Sequence, residues 1–187
     1  INEENIIHDV GIAFTNKDII DAIEEDINEI YYKDPACNYL FQPLLFYKGF
    51  QALQAHRVAN YWTKEKLGFS MYIQSIVSEK FNVDIHPKAQ IGKGIMIDHA
   101  SGVVIGETSK VGDYCSIFHG VTLGGVGSEK GQRHPQVGKN VLLSANSTIV
   151  GNIKIGDNVK IGAGSVVLND IPENSTAVGV PAKIINN

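Results

Sequence analysis

The sequence predicts an α+β protein, with an N-terminal α-helical region over residues 1–83 and a parallel β-helix over residues 84–187. Apolar residues in the first region recur at helical spacing, whereas from Ile85 onward they recur at every sixth position. A helix cannot produce a period of six, because six residues advance about 600° and put successive members on different faces. A β-solenoid can, since each hexad forms one short strand and one turn.

The composition of this 187-residue chain excludes several classes of protein. With 43% hydrophobic and 19% charged residues, it is too apolar for a disordered chain and too polar for a membrane protein. No run of about 18 uncharged apolar residues is present, so no membrane-spanning helix is expected. The net charge of -4 argues against nucleic acid or an anionic membrane as the main partner. Two cysteines, Cys37 and Cys115, are too few for a disulfide scaffold and lack metal-ligand spacing.

The first residues give an expectation about location. A secretory signal has a basic segment, then an apolar segment, then small residues at a cleavage site. The N-terminus, Ile-Asn-Glu-Glu, does not follow this pattern, so a soluble cytoplasmic protein is expected. The chain begins with Ile1 rather than Met, and residues are therefore expected to be missing upstream.

Several segments of the first region carry helix signals. Isoleucines from Ile19 to Ile30 recur at helical spacing with acidic residues between them, and Thr15 is predicted to cap this helix. Asp34, followed by Pro35, predicts another helix start, because a capping carboxylate precedes a proline. A longer helix is predicted over 44–66, ending near Gly68, and a further segment is predicted over 69–81.

The hexad positions from residue 85 onward define the coils of the solenoid. They fall in three runs, separated by a slip of two residues and then by a gap. The runs are Ile85, Ile91, Ile97 and Val103; Ile105, Val111, Ile117 and Leu123; and Val137, Leu143, Ile149, Ile155, Ile161 and Val167. The position four residues later is small or β-branched and predicted to be buried, as at Ser101 and Cys115. At three hexads a coil, the runs predict about four to five coils, stacked about 4.8 Å apart.

The gap and the slip each carry a prediction. The gap is an extended, glycine-rich loop over 124–136, and an excursion of this length from a regular solenoid is often functional. Because of the slip, the coil that starts at Ile97 is two residues longer than the others. His99 and His119 are therefore predicted to stack on adjacent coils, about 5 Å apart at the backbone.

Motifs in both regions resemble those of the serine O-acetyltransferase family. They are Asp-Pro-Ala (34–36), Lys-Gly-Phe-Gln-Ala-Leu-Gln-Ala-His-Arg (48–57), Asp-Ile-His-Pro (84–87), Asp-His-Ala-Ser-Gly (98–102), Gly-Glu-Thr (106–108), Arg-His-Pro (133–135) and Gly-Val-Pro-Ala-Lys-Ile (179–184). The resemblance covers nearly the whole chain from about residue 18. It implies a left-handed hexapeptide-repeat solenoid that forms a homotrimer, or a dimer of trimers paired through the helical region. Active sites would lie between neighbouring subunits.

The resemblance also implies an activity. An acetyl group passes from acetyl-CoA to the hydroxyl of L-serine, giving O-acetyl-L-serine and CoA at the first step of cysteine biosynthesis, with feedback inhibition by L-cysteine. Acetyl-CoA is a co-substrate, and neither a tightly bound cofactor nor a metal is implied. Family members dock a C-terminal tail ending in isoleucine into O-acetylserine sulfhydrylase. This chain ends at Asn187, so a missing tail and an absent interaction both stay open.

Acetyl transfer to an alcohol requires a base, because a serine hydroxyl is protonated at neutral pH. Histidine suits this step, since its pKa near 6.5 leaves the neutral form available, and general-base catalysis is typically worth about 10²–10⁴ in rate. By correspondence with the family motifs, His99 is the base, Asp84 is the carboxylate that orients it, and His134 is a third catalytic residue. Direct transfer in a ternary complex is expected, without an acyl-enzyme.

The binding residues likewise follow from the resemblance. Asp34 and Asp98 are expected to bind the ammonium group of serine, and Arg133 is expected to bind its carboxylate, where bidentate pairing is favourable. The positions expected to bind acetyl-CoA are Gly125, Ala145, Ala163 and Lys183.

Three other functions use a solenoid of this kind. A hexapeptide acetyltransferase for a sugar or a xenobiotic would share the base histidine without needing Asp34 and Arg133. A zinc carbonic anhydrase needs three convergent histidines that include a closely spaced pair, which the spacing from His86 to His134 does not supply. A non-catalytic scaffold is the third. An assay of acetyl transfer to serine separates them.

Overall fold

The computed structural model describes residues 2–127 and 130–185, and it places five helices before a stack of short strands. The helices are α1 (Glu3–Ala13), α2 (Lys17–Lys33), α3 (Gln42–Phe46), α4 (Lys48–Tyr61) and α5 (Leu67–Phe81). None of the helices within these two stretches is long and apolar enough to cross a lipid bilayer.

The start of α2 differs from the prediction. Asn16, not Thr15, caps the helix, because its side chain accepts hydrogen bonds from the backbone N–H groups of Asp18 at 2.9 Å and Ile19 at 3.3 Å. The hydroxyl of Thr15 donates backwards to the carbonyl of Ile12 at 2.7 Å and so cannot serve the new helix. Asparagine is among the most favourable capping residues. The predicted cap was therefore wrong by one residue.

Three further boundaries also differ from those predicted. Asp34 starts no helix: it follows the last residue of α2, and its carboxylate accepts the N–H of Ala36 at 2.8 Å within a turn. The helix predicted over 44–66 is divided into α3 and α4, because Tyr47 has an extended backbone with ψ 102. Gly68 is the second residue of α5 rather than a helix end, at a position where N–H groups lack helical partners in any case.

A buried ion pair joins the helices to the first coil. Asp26 of α2 is fully buried and accepts hydrogen bonds from Arg57 of α4 at 2.7 Å and from the backbone N–H of Ile95 at 2.8 Å. Arg57 also donates to the carbonyl of Gly92 at 2.9 Å. Because removing one partner would leave an uncompensated buried charge, the pair holds α2 and α4 in one position against the solenoid.

The strands form three sheets, one on each side of the solenoid. Sheet A contains β1 (Val83–Ile85), β4 (Val103–Ile105), β7 (Thr122–Gly124), β10 (Thr148–Val150) and β13 (Val166–Val167). Sheet B contains β2 (Gln90–Ile91), β5 (Lys110–Val111), β8 (Gln136–Val137) and β11 (Lys154–Ile155). Sheet C contains β3 (Met96–Asp98), β6 (Ser116–Phe118), β9 (Leu142–Leu143), β12 (Lys160–Ile161), β14 (Thr176–Gly179) and β15 (Ala182–Ile185). All pairings are parallel except that of β14 with β15.

The hexad residues fill the interior in columns. In sheet A the column is Ile85, Ile105, Leu123, Ile149 and Val167, which are Cα partners from coil to coil. Each member is at most 3% exposed. The period of six is thus confirmed as a parallel β-solenoid of about five coils that follows five helices.

The two-residue slip lies in the turn over 99–102. Val83 pairs with Val103 and Ile85 with Ile105, so the strands on either side of the turn remain in register. Ser101, predicted to be buried, is exposed in the lengthened turn, and the fully buried Val103 takes the interior position instead. The loop predicted over 124–136 spans the interval between the end of β7 and the start of β8, and its residues 128 and 129 lie outside the described part of the chain.

Candidate active site

Two corners of the solenoid hold most of the predicted site residues, one on each side of sheet A. The turns from sheet C to sheet A form the first, called here the His99 corner, with residues 99–102, 119–121, 144–147 and 162–165. The turns from sheet A to sheet B form the second, called here the Arg133 corner, with residues 86–89, 106–109, 125–127, 130–135 and 151–153.

His99 projects from its corner into solvent. Its side chain is 72% exposed, and its Nε2 lies 3.6 Å from Oδ2 of Asp98, the last residue of β3. His99 and Ala100 both have left-handed backbones, with φ 57 and 59. Such a conformation costs non-glycine residues about 1–2 kcal/mol each, and it turns the imidazole away from the packed interior.

The corner continues as a column of side chains down the stack. His99 and His119 follow strands in which Ile97 is the Cα partner of Ile117, so they lie on adjacent coils as predicted. Their rings meet edge to face, with the centroids 5.8 Å apart. Below them follow Ala145 and Ala163, because Asn146 donates to the carbonyl of His119 at 2.8 Å and Gly164 donates to that of Ala145 at 2.9 Å. Two predicted CoA positions therefore lie in line with the predicted base.

The start of α4 fixes the turn that carries His99. Lys48 donates a hydrogen bond to the hydroxyl of Ser101. Gly49 lies so close to the turn that a Cβ atom there would overlap the carbonyl oxygen of Ile97 and press on the Cβ of Ala100 at 3.1 Å. The Lys-Gly pair of the motif over 48–57 therefore gives the helix a close approach to this turn.

Asp34 lies beyond the outer face of sheet C. Burial and the neighbouring carboxylate of Asp34 raise the pKa of Tyr47 to about 12. Tyr47 packs in a cluster with Cys37, Met96 and Phe118. Since Phe118 is the Cα partner of Asp98, the two predicted ammonium-binding carboxylates occupy the same side of the solenoid.

Asp84 occupies the middle of β1, between the two corners. Its Oδ1 accepts a hydrogen bond from Nε2 of Gln74 in α5 at 2.6 Å. Both Asp84 and His99 are in the described part of the chain, and no hydrogen bond joins them. Orientation of His99 by Asp84 therefore stays a prediction.

The Arg133 corner is built around Glu107, a carboxylate for which the sequence predicted no role. Glu107 accepts hydrogen bonds from Arg133 at 2.6 Å and from Lys88 at 3.0 Å. These two cations, Arg133 first, lower the pKa of Glu107 to about 2. Glu107 is therefore anionic at neutral pH and holds the guanidinium of Arg133 in place.

His134 is buried at the same corner, only 8% exposed. Its Nδ1 lies 2.8 Å from the hydroxyl of Thr108. Burial, and then the charge of Arg133, lower the pKa of His134, so the ring is neutral at neutral pH. Gly125, a predicted CoA position, lies beside the ring: a Cβ there would come within 3.0 Å of Nε2.

Gly-Glu-Thr (106–108) is the signal that could have located this cluster. The motif was part of the family resemblance, yet only the folded corner shows that Glu107 meets Arg133 while Thr108 meets His134. These contacts are made across the insertion, between residues about one coil apart, so spacing in the sequence does not reveal them.

The two corners are not joined within one chain. Over residues 2–127 and 130–185, no hydrogen bond or ion pair links His99, Asp98 or Asp34 to Arg133 or His134. Lys183, the remaining predicted CoA residue, lies exposed in β15 at the last coil, opposite Val178 of β14. Among the described residues, no three His, Cys, Asp or Glu side chains are grouped to hold a metal ion.

Comparison with known proteins finds matches in both parts of the chain. Residues 4–55 match the family described as "Serine acetyltransferase, N-terminal", and residues 134–169 match "Bacterial transferase hexapeptide (six repeats)". The serine acetyltransferase of Haemophilus influenzae is 49% identical over 92% of this chain and 65% of its own length. That of Buchnera aphidicola subsp. Schizaphis graminum is 48% identical over 99% of this chain and 72% of its own. This chain thus spans between 65% and 72% of these two relatives.

Solved structures agree with the fold. Neisseria gonorrhoeae serine acetyltransferase in complex with serine is 47% identical, with TM-score 0.91 over 94% of this chain and 72% of that one. The Brucella abortus serine acetyltransferase in complex with coenzyme A is 46% identical, with TM-score 0.89 over 91% of this chain and 69% of that one. A serine acetyltransferase in complex with cysteine is 47% identical, with TM-score 0.93 over 97% of this chain and 70% of that one.

Proposed function

The chain belongs to the serine acetyltransferase family, and on this premise we propose that it transfers the acetyl group of acetyl-CoA to the hydroxyl of L-serine. The products are O-acetyl-L-serine and CoA, and the reaction is the first step of cysteine biosynthesis. The observation that carries the proposal is the exposed imidazole of His99, 3.6 Å from Asp98 and in line with Ala145 and Ala163, the positions predicted to bind CoA.

The proposed transfer is direct. Neutral His99 takes the proton of the serine hydroxyl while the serine oxygen bonds to the carbonyl carbon of the thioester. The tetrahedral intermediate then collapses, its carbon–sulfur bond breaks, and CoA leaves as a thiolate. The thiolate receives the proton held by His99. Cys115 is unsuited to forming an acyl-enzyme, because its side chain is buried and burial raises its pKa to about 11.

The charged residues suit a zwitterionic acceptor. Asp34 and Asp98 would bind the ammonium group, and the guanidinium of Arg133 would pair with the carboxylate of serine. Asp84 would orient His99 through Oδ2, since Gln74 occupies Oδ1. A sugar acceptor offers no partner for these charges, which favours serine over the sugar or xenobiotic alternative.

The separation of the two corners indicates how the subunits would assemble. Arg133 and His134 lie across sheet A from His99, so one chain alone does not gather the residues that would surround serine. The proposed site therefore forms between subunits, with the His99 corner of one copy facing the Arg133 corner of the next, as a homotrimer would arrange it. Two trimers would pair through the helical region.

Inhibition by L-cysteine is part of the proposal. Cysteine has the same ammonium and carboxylate groups as serine, so it would compete for Asp34, Asp98 and Arg133. The solved serine acetyltransferase complex with cysteine supports this view, as the complexes with serine and with coenzyme A support the substrates.

The test is acetyl transfer from acetyl-CoA to L-serine, measured with the chain and with His99→Ala. Turnover should fall by about 10²–10⁴ in the variant, because the base is lost, while CoA binding by calorimetry stays the same. His8→Ala, in the exposed part of α1, is the matched control and should retain full activity.

Two results would contradict the proposal. If the unmodified chain does not acetylate serine but does acetylate a galactoside, the acceptor is wrong. If His99→Ala keeps normal turnover, the base is wrong even though the acceptor is right. Adding cysteine to the same assay tests competition, which should raise the KM for serine.

A further inference from the structure

Thr108 is the centre of the hydrogen bonds that hold the end of the inserted loop. Its Oγ1 lies 3.1 Å from the backbone nitrogen of Arg133, 3.2 Å from that of His134, and 2.8 Å from Nδ1 of His134. Its own backbone N–H points at the same Nδ1 from 3.3 Å. The side chain of Gln132 adds a bond to the carbonyl of Thr108 at 2.7 Å.

The number of donors and acceptors in this cluster determines where the protons lie. A hydroxyl has one hydrogen and two lone pairs. The N–H groups of Arg133 and His134 use the lone pairs of Oγ1, so its single hydrogen is left for Nδ1 of His134. The backbone N–H of Thr108 also donates to Nδ1. Nδ1 is therefore an acceptor without a proton, and the neutral ring carries its proton on Nε2.

Protonating the ring would disrupt this arrangement. An imidazolium has N–H groups on both nitrogens, so its Nδ1 hydrogen would face two donors of Thr108. The ring is also buried and lies next to the cation Arg133, which together lower its pKa. His134 is thus poorly suited to taking a proton and well suited to donating a hydrogen bond from Nε2.

The free edge of the ring lies between two glycines. A Cβ at Gly106 would overlap Nε2 of His134, and a Cβ at Gly125 would approach Nε2 at 3.0 Å. Only residues without a side chain leave Nε2 reachable there. Gly125 is also a predicted CoA position, so the Nε2–H lies at the part of the site where the thioester would be bound.

We propose that Thr108 is a positioning residue that holds His134 as its Nε2–H tautomer, so that His134 donates a hydrogen bond to the thioester carbonyl oxygen as negative charge develops on it. This inference rests on the proposed function. It assigns the two histidines different tasks: His99 moves the proton, and His134 stabilises the oxyanion without changing its own protonation.

The first experiment reads the tautomer directly. Correlation of ring ¹⁵N with carbon-bound ring hydrogens in the unmodified chain should show His134 protonated at Nε2 only. In Thr108→Val the shorter of the two donors to Nδ1 is lost and only the backbone N–H at 3.3 Å remains, so a partial population of the Nδ1–H tautomer should appear in the spectrum. Thr108→Ser should restore the original spectrum. Thr176→Val, a strand position on sheet C, is the control that should leave it unchanged.

The second experiment separates a donor from a base. The amide nitrogen of His134→Gln reaches the position of Nε2, whereas that of His134→Asn reaches only the position of Nδ1, and neither amide is a base. Losing an oxyanion donor costs about 10²–10³ in kcat, so His134→Asn should fall by about that factor and His134→Gln by about tenfold. Thr108→Val should lower kcat about tenfold, with less change in the KM for serine.

The outcomes are distinct from those that test the proposed function. An Nδ1–H tautomer in a chain that acetylates serine would overturn the role of Thr108 and leave the activity standing. Equal loss in His134→Gln and His134→Asn would overturn the donor role. If Thr108→Val does not fold, the spectrum of the unmodified chain and the His134 pair still decide. A chain without acetyl transfer to serine would instead refute the proposed function.

Discussion

Burial gives the histidines of this chain different chemistry. His99 has a 72% exposed side chain, whereas His56 of α4 is 5% exposed, with no hydrogen-bond partner for its Nδ1. Burial, and then the adjacent Arg57, lower the pKa of His56 to about 3. His56 therefore stays neutral in the folded chain at a pH where an unfolded histidine takes up a proton.

This difference predicts a pH dependence of stability. The unfolded chain protonates His56 near pH 6.5 and the folded chain near pH 3, so between these values the unfolded state binds more protons. Stability should fall as pH decreases through this window, by up to about 1.4 kcal/mol per pH unit from His56 alone. Denaturant unfolding at pH 7.5 and pH 5 measures how far the free energy of unfolding falls between these two values. The fall should be smaller in His56→Phe than in the unmodified chain. The exposed control His8→Gln should keep the full decrease, and equal slopes in all three proteins would contradict the assignment.

At single positions, the sequence predicted site residues whose proposed roles depend on their own side chains. His99 and Asp98 are adjacent in the chain, and their turn could be counted from the hexads. Glu107 and Thr108 act through partners on the next coil, and those partners lie beyond an insertion that breaks the count. Their contacts with Arg133 and His134 therefore required the fold.

At the scale of elements, α4 supports the strained turn that carries His99. Two successive left-handed residues are unfavourable, and here backbone hydrogen bonds hold them: Ala100 donates to the carbonyl of Asp98 at 2.6 Å, and Gly102 donates to that of Asn82 at 2.7 Å. The close approach of Gly49 adds contact with helix α4 on the other side. Strain at a candidate catalytic turn is thus held by packing from a separate element.

Gly49→Ala should displace this turn. The new methyl group overlaps the carbonyl of Ile97, which is backbone and cannot rotate away, and forced overpacking typically costs about 1–3 kcal/mol. Thermal unfolding should show the loss of stability, and kcat for serine acetylation should fall because His99 moves. Gly68→Ala is the matched control: a methyl group there meets nothing within 4 Å, so the free energy of unfolding should rise by about 0.5–1 kcal/mol. Full activity in Gly49→Ala would show that α4 does not position His99.

Strands were easier to predict than helices for a physical reason. Every coil buries the same aliphatic position, so the hexads report one repeated environment many times. Each helix, by contrast, has a different environment. Helix α1 is attached through Asp9, whose carboxylate accepts a hydrogen bond from Lys66 at 2.6 Å. These two residues are separated in sequence by most of the helical region. The break at Tyr47 and the cap at Asn16 likewise depend on local geometry that periodicity does not record.

At the scale of the whole molecule, sheet A separates the two halves of the candidate site. Its strands place the His99 corner at one edge and the Arg133 corner at the other in every coil they cross. A single sequence can point to the residues of both corners, as the resemblance did, but it cannot show that these corners lie on opposite sides of sheet A. If the site forms between copies, each subunit contributes one half to each of two sites.

That arrangement predicts complementation between two inactive chains. His99→Ala and Arg133→Ala should each be inactive in serine acetylation, the first without its base and the second without its carboxylate partner. Co-expressed with different tags and purified through both, the two chains should form mixed assemblies. At an interface where the Arg133→Ala chain supplies His99 and the His99→Ala chain supplies Arg133, both residues are intact. In every mixed trimer one of the three interfaces has this composition, so about one third of the activity should return. Mixing the purified inactive proteins without subunit exchange is the control. If both residues acted within one chain, every mixed assembly would stay inactive, because no chain carries the intact pair.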